Sequence, residues 1–125
     1  MNINFDQDTK LQEIQNDFSA AFPYLKLVFA VPAKGGGTSS KIAAPGNNYH
    51  LTVGDISGNI APGYVTINDD VTVLELEKLF SQMFGVPVRL QRKSGNIWME
   101  TSLTNSWTLH QQNEHAREIS RSRIF

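Results

Sequence analysis

Leu11, Ile14, Phe18, Ala21 and Phe22 return every three to four residues until Pro23 interrupts them, the spacing that places side chains on one buried helix face. Thr9 and Gln12, separated like the partners of a capping box, predict where this helix begins. The period then drops to two. Leu25, Leu27, Phe29 and Val31 alternate with Tyr24, Lys26, Val28 and Ala30, which predicts a strand over 24–31, closed by Pro32. YHLTV at 49–53 predicts a short strand and GYVTIN at 63–68 a firmer one. The next helix is the best specified: Thr72 and Glu75 form a capping box, Val71 and Leu76 a hydrophobic staple, and Leu76, Leu79, Phe80, Met83 and Phe84 the inward stripe, which ends at Gly85. After a turn at TNSW, 104–107, Thr108 and Gln111 repeat the capping spacing ahead of a last helix. Its apolar face, Leu109, Ala116 and Ile119, is thin, which predicts loose docking or burial against a partner.

Between the last two helices, RKSGNIWMET at 92–101 predicts a hairpin. With Ser94-Gly95 as a two-residue turn, Lys93 faces Asn96, Arg92 faces Ile97, Gln91 faces Trp98, Leu90 faces Met99, Arg89 faces Glu100 and Val88 faces Thr101. This register sends Val88, Leu90 and Met99 towards the core and Arg89, Gln91, Lys93 and Trp98 to the other face, where Lys26 can join them. Slipping one strand by one residue would set Leu90 against Glu100. An outward indole among cations suits contact with a peptide or stacking with a nucleobase. The simpler alternative is an Arg89–Glu100 cross-strand pair with Trp98 lying over aliphatic stems. Arg89, Lys93 and Trp98 are therefore the candidate binding residues.

Composition narrows the partners. The chain has 125 residues, 40% apolar and 18% charged, with a formal net charge of -1, which fits one domain, 1–125, and points neither to disorder nor to a strongly basic nucleic-acid binder. The absence of cysteine removes disulfides, thiolate metal sites and a cysteine nucleophile. The start of the chain lacks the basic residues and apolar run of a signal peptide, and no stretch of about 18 apolar residues offers a membrane span. The expected setting is the cytoplasm, with no membrane partner.

Residues 33–48, AKGGGTSSKIAAPGNN, have no sustained period and predict a flexible glycine-rich loop. Gly35, Gly36 and Gly37 are not followed by the Gly-Lys pair that a phosphate-binding loop needs. His110 and His115 lie five apart, about 140° around a helix, and His110 with Glu114 lacks a third ligand, so no metal site is expected. Asp69 and Asp70 precede a helix, where its dipole explains them. No serine stands in a nucleophile elbow. No catalytic residue and no cofactor is expected, although a small enzyme with a site near Lys34, Lys41 and His50 is a third possibility.

FSAAFPYLKL at 18–27 and FSQMFGVPVRL at 80–90 share Phe-Ser, a following Phe and a basic residue before Leu. Duplication of a helix–strand unit, or chance likeness of two amphipathic helices feeding strands, accounts for the match. FPYLK at 22–26, RKSGNIWMET at 92–101 and WTLHQQN at 107–113 resemble a family of small uncharacterised proteins from Bacteroidetes-type bacteria. That resemblance covers most of the chain apart from the glycine-rich stretch. It implies a bacterial cytosolic setting and supplies no catalytic residue. Residues 63–113, running strand, capped helix, strand, strand and then Thr-Leu-x-x-x-Asn, look like the middle and end of a ubiquitin-type β-grasp domain, with YHLTV as its missing first strand. The terminal SRIF, in place of Gly-Gly, implies no conjugation of the ubiquitin kind.

These patterns predict an α+β two-layer domain: a mixed sheet of about four strands, from 24–31, 63–68, 86–93 and 96–104, with the first two helices on one face. β-grasp-like wiring comes first and ferredoxin-like wiring second. The expected function is a non-enzymatic protein-interaction module acting through the open sheet face, an exposed strand edge or the last helix. Single-stranded nucleic-acid binding on the same face is the rival, and oligomeric state is left open.

Overall fold

The computed structural model describes residues 1–32, 40–42, 51–58 and 60–122, with residues 31–32, 40–42 and 122 as backbone only. The fold is α+β. In chain order it runs β1 (Asn2–Phe5), α1 (Leu11–Ala21), β2 (Leu25–Pro32), β3 (Ser40–Ile42), α2 (Val53–Ser57), β4 (Gly63–Thr66), α3 (Val73–Phe84), β5 (Val88–Ser94), β6 (Ile97–Glu100), a 3-10 turn (Ser102–Thr104) and α4 (Leu109–Ser122). Among the described residues no helix is long and apolar enough to cross a membrane.

The helical stripes form where the periodicity puts them. Leu11, Ile14 and Phe18 of α1 and Val73, Leu76, Phe80 and Phe84 of α3 are buried. α3 begins with the Thr72–Glu75 capping box and ends at Gly85, whose φ of 72° provides the left-handed cap. Several details differ from expectation: Ala21 of the predicted stripe is exposed, and the strand Ser40–Ile42 lies within the stretch expected to be a loop. α1 starts one residue later, with the Glu13 carboxylate accepting the Lys10 N–H at 2.8 Å. Leu79 is exposed, because the stripe turns away from it. Thr52 caps the short helix α2 with Asp55, so that 53 opens a helix and does not close a strand; residues 49–50 lie outside those described. α4 docks firmly: Leu109, Gln112 and Ala116 are fully buried.

The strand partners are the main correction. All described pairings are antiparallel, and they form two sheets, β1-β4 and β3-β2-β5-β6, in place of one mixed sheet. The 63–66 strand pairs with Asn2–Phe5, Ile3 facing Val65, and β3 pairs only with Ala30–Pro32 at the end of β2. Alternation fixes which face of a strand is buried and says nothing of its neighbour. The hairpin register also moves. Ser94 faces Ile97, Lys93 faces Trp98, Arg92 faces Met99 and Gln91 faces Glu100, because Gly95, with φ of 65°, is the first central residue of the turn and Asn96 the second. That displaces every pair by two residues and leaves each side chain on its expected face.

The two halves of the chain are built alike: strand, helix, strand, strand, helix occurs twice. β1 pairs with its counterpart β4, and β2 with its counterpart β5, where Leu27 faces Leu90. The correspondence extends to individual bonds. Leu11 N–H reaches Leu51 O at 2.8 Å and Val73 N–H reaches Trp107 O at 3.0 Å; Gly54 N–H reaches Gln7 O at 2.8 Å and His110 N–H reaches Asp69 O at 2.9 Å. Lys10 bridges Thr52 as Thr72 bridges Thr108. Even the strand edges are sealed by matching helix positions: Gln15 Nε2 donates to Leu27 O and Ser19 Oγ to Leu25 O, while Glu77 and Ser81 accept from Leu90 N–H and Val88 N–H. The likeness of the two helix exits is thus one part of a pseudo-twofold relation that runs through both halves, and chance likeness of two helices does not account for it.

The core lies between the helices and one side of the larger sheet. Leu25, Leu27, Phe29, Val88 and Leu90 contribute from that sheet, and Ile3, Phe5 and Val65 from the smaller one. Phe84 joins the layers, its ring 5.3 Å from Phe5 and 5.8 Å from both Phe29 and Phe80, each edge to face.

Candidate functional site

The alternate residues of β2, β5 and β6 project from the other side of the larger sheet: Lys26, Val28 and Ala30; Arg89, Gln91 and Lys93; Trp98 and Glu100. Arg89, Lys93 and Trp98, the residues singled out from the sequence, share this face. Lys93 stands directly opposite Trp98, while Arg89 stands opposite Val28 and two places along from Gln91. The expected Arg89–Glu100 cross-strand pair does not form; Glu100 faces Gln91. Arg92, the other half of the basic pair, projects to the opposite side with Leu90.

Lys26 reaches across β5 to place its Nζ 4.2 Å from the centroid of the Trp98 ring. This cation–π contact leaves the indole 36% exposed and partly desolvates the ammonium, and burial lowers the Lys26 pKa below its ordinary value. Two cations, Lys26 and Lys93, therefore flank one indole, while Arg89 lies on the same face four residues along β5 from Lys93, with Glu100 as the carboxylate of this face. Val28 and Ala30 are buried although they lie outside the core cluster. On the helix side of the hairpin the expectation fails in part: Val88 and Leu90 are buried, but Met99 is 41% exposed and Ile97 59%.

A concavity of about 560 Å³ runs between the outer side of α3 and residues 86–89, with Leu74, Lys78, Gln82 and Arg89 among its walls. Glu77 lies in it, half-buried. Burial pushes its carboxyl pKa above the ordinary value; the Leu90 N–H and Arg89 oppose that rise and Glu100 adds to it. The folded chain then binds a proton more readily than the unfolded chain between the ordinary value of 4.5 and the raised one. Stability contributed by the neutral carboxyl is present below that window and is lost as pH rises through it. Glu77→Gln, which can still accept from Leu90, is expected to flatten this fall in the urea midpoint as pH rises above the ordinary value of 4.5. An unchanged pH slope would contradict the assignment. In the sequence Glu77 looked like any helix-surface carboxylate; only its place beside the Leu76–Phe80 stripe hinted at contact with the sheet.

His110 Nδ1 lies 3.6 Å from Asp69 Oδ2, both well exposed, and among the described residues no group of three His, Asp or Glu side chains is placed to hold a metal. Lys34 and His50 lie outside the described residues, and Lys41 falls in β3, where the backbone alone is described. No protein-family model, curated protein or solved structure matches the chain.

Proposed function

We propose that this chain is a non-enzymatic protein-interaction module whose contact surface is the exposed part of the outer face of the larger sheet, with Trp98 as anchor, Lys93 and Lys26 beside it and Arg89 further along β5. The observation that carries this reading is one part-exposed indole with Lys26 over its ring and Lys93 opposite it, on the side of the sheet away from its core that also carries Arg89. Trp and Arg are the side chains that most often dominate protein contacts, since each offers a large area together with a polar handle. The chemistry of the face suits an acidic protein surface. The nucleic-acid alternative draws on the same residues, but it must stack a base on a ring that Lys26 already covers, in a chain of net charge -1.

The β-grasp likeness rests on the order strand, capped helix, strand, strand from residue 63 onward; the bonding of β4 to β1 adds no support to it. The proposed setting is the bacterial cytosol, in keeping with the Bacteroidetes resemblance.

Affinity capture from such a cytosol, comparing wild type with an Arg89→Glu, Lys93→Glu, Trp98→Ala variant of unchanged thermal stability, tests the proposal. A partner held by wild type should be weakened at least about 30-fold by the triple change, the scale of a hot-spot loss. Identical capture by both proteins would contradict it. Oligonucleotide binding that falls steeply with salt would transfer the face to the rival reading.

A further inference from the structure

β6 is a bare edge. Lys93 N–H bonds Tyr24 O on the β2 side, so the alternate residues Arg92 and Ser94 face β6 and pair with Met99 and Ile97. The N–H and C=O groups of Trp98 and Glu100 therefore point away from the sheet, along a strand whose four side chains are all exposed. Ile97 and Met99 project on one side of it, and Leu103, just beyond, is fully exposed. No proline or lysine blunts this edge, and such edges accept another extended backbone.

We propose that β6 pairs antiparallel with β6 of a second copy of this chain across a twofold axis at Met99, joining two sheets into one. Three features favour a second copy as the occupant. Twofold pairing keeps like faces together only when the residue on the axis faces itself, which permits Met99 or Trp98 there and excludes registers between them. With Met99 on the axis, the outward groups of Trp98 meet those of Glu100 from the other copy, and Ile97 and Met99 of both copies form one apolar row. In that register each Glu100 also stands in the row of Trp98, Lys93 and the Lys26 ammonium of the other copy. Among the described residues Glu100 has no ion pair within its own chain, and the twofold supplies the complementary charges twice. The contact is smaller than a standard stable interface, so association in the micromolar-to-millimolar range is expected. This inference concerns the strand edge and does not depend on the open face binding another protein.

The chain has no cysteine, so an introduced thiol reports only on its own site. Opposed residues on a non-hydrogen-bonded antiparallel position have Cα atoms about 4.5 Å apart, within disulfide reach. Copper-phenanthroline oxidation of full-length Met99→Cys at about 0.5 mM should therefore yield a covalent dimer at least about 10-fold faster than Ile97→Cys, whose thiols lie roughly 13 Å apart in this register. In parallel, sedimentation equilibrium of wild type should give a mass rising from 14.0 kDa towards twice that value with concentration, and Met99→Lys should abolish the rise. Equal cross-linking of the two cysteine variants, a constant mass up to about 1 mM, or a Met99→Lys protein that still associates overturns the proposal.

Discussion

Phe84→Ala is expected to destabilise the fold by about 3–5 kcal/mol, enough to leave a domain of this size partly unfolded at room temperature. Phe84 is 1% exposed, and its ring meets Phe5 of β1 and Phe29 of β2 as well as Phe80 of its own helix. Its removal leaves a cavity at the junction, and three edge-to-face contacts are lost together. Leu79→Ala, on the same helix but 41% exposed, should cost less than about 1 kcal/mol. Urea unfolding of the two variants checks this. Similar midpoints would mean that the sheets are not joined through α3 in this way.

The second large effect tests the pseudo-twofold relation. Leu27 and Leu90 face each other in the pair of β2 with β5, and both are fully buried. Each occupies the same place in its half, beside a helix side chain that seals the strand edge: Gln15 for Leu27 and Glu77 for Leu90. Leu27→Ala and Leu90→Ala should each cost about 2–5 kcal/mol and agree to within roughly 1 kcal/mol. Because the two cavities adjoin, the double variant should cost measurably less than the sum. Denaturant titration of the three proteins decides it. A site that costs less than about 1 kcal/mol would show that the halves do not share the axis equally.

Much of this molecule is legible in its sequence where a signal is local. The α3 boundaries follow from Thr72, Glu75 and Gly85, and the faces of β2 and β5 follow from strict alternation about Leu27 and Leu90. The face that gathers Arg89, Lys93 and Trp98 is recovered even though the hairpin register is displaced, since a two-residue displacement preserves side-chain direction. What fails is partner choice. Asn2–Phe5 is four residues of Asn-Ile-Asn-Phe, too short to declare itself, and nothing local to Tyr64 or Val65 says that they bond to it. The duplication is nearly silent for a related reason: most matched positions share a hydrogen bond made by the backbone, so Lys10 can stand where Thr72 does, and the strand edge is sealed equally by a donating Gln15 or an accepting Glu77. Alternation already puts Lys26 on the face of Trp98; its reach across β5 onto the ring spans a whole strand and no spacing rule reports that contact.

The proposed interaction face depends on Trp98 being open to solvent within a positive field. With Trp107→Phe, Trp98 becomes the sole indole of the chain. Collisional quenching of its fluorescence by iodide and by caesium ions then reads exposure and local charge at once, because the cations Lys26, Arg89 and Lys93 concentrate the anion. Iodide is expected to quench several-fold better than caesium at low ionic strength, with the preference shrinking as salt is added. Quenching that is negligible for both ions, or stronger for caesium, would contradict the open cationic face.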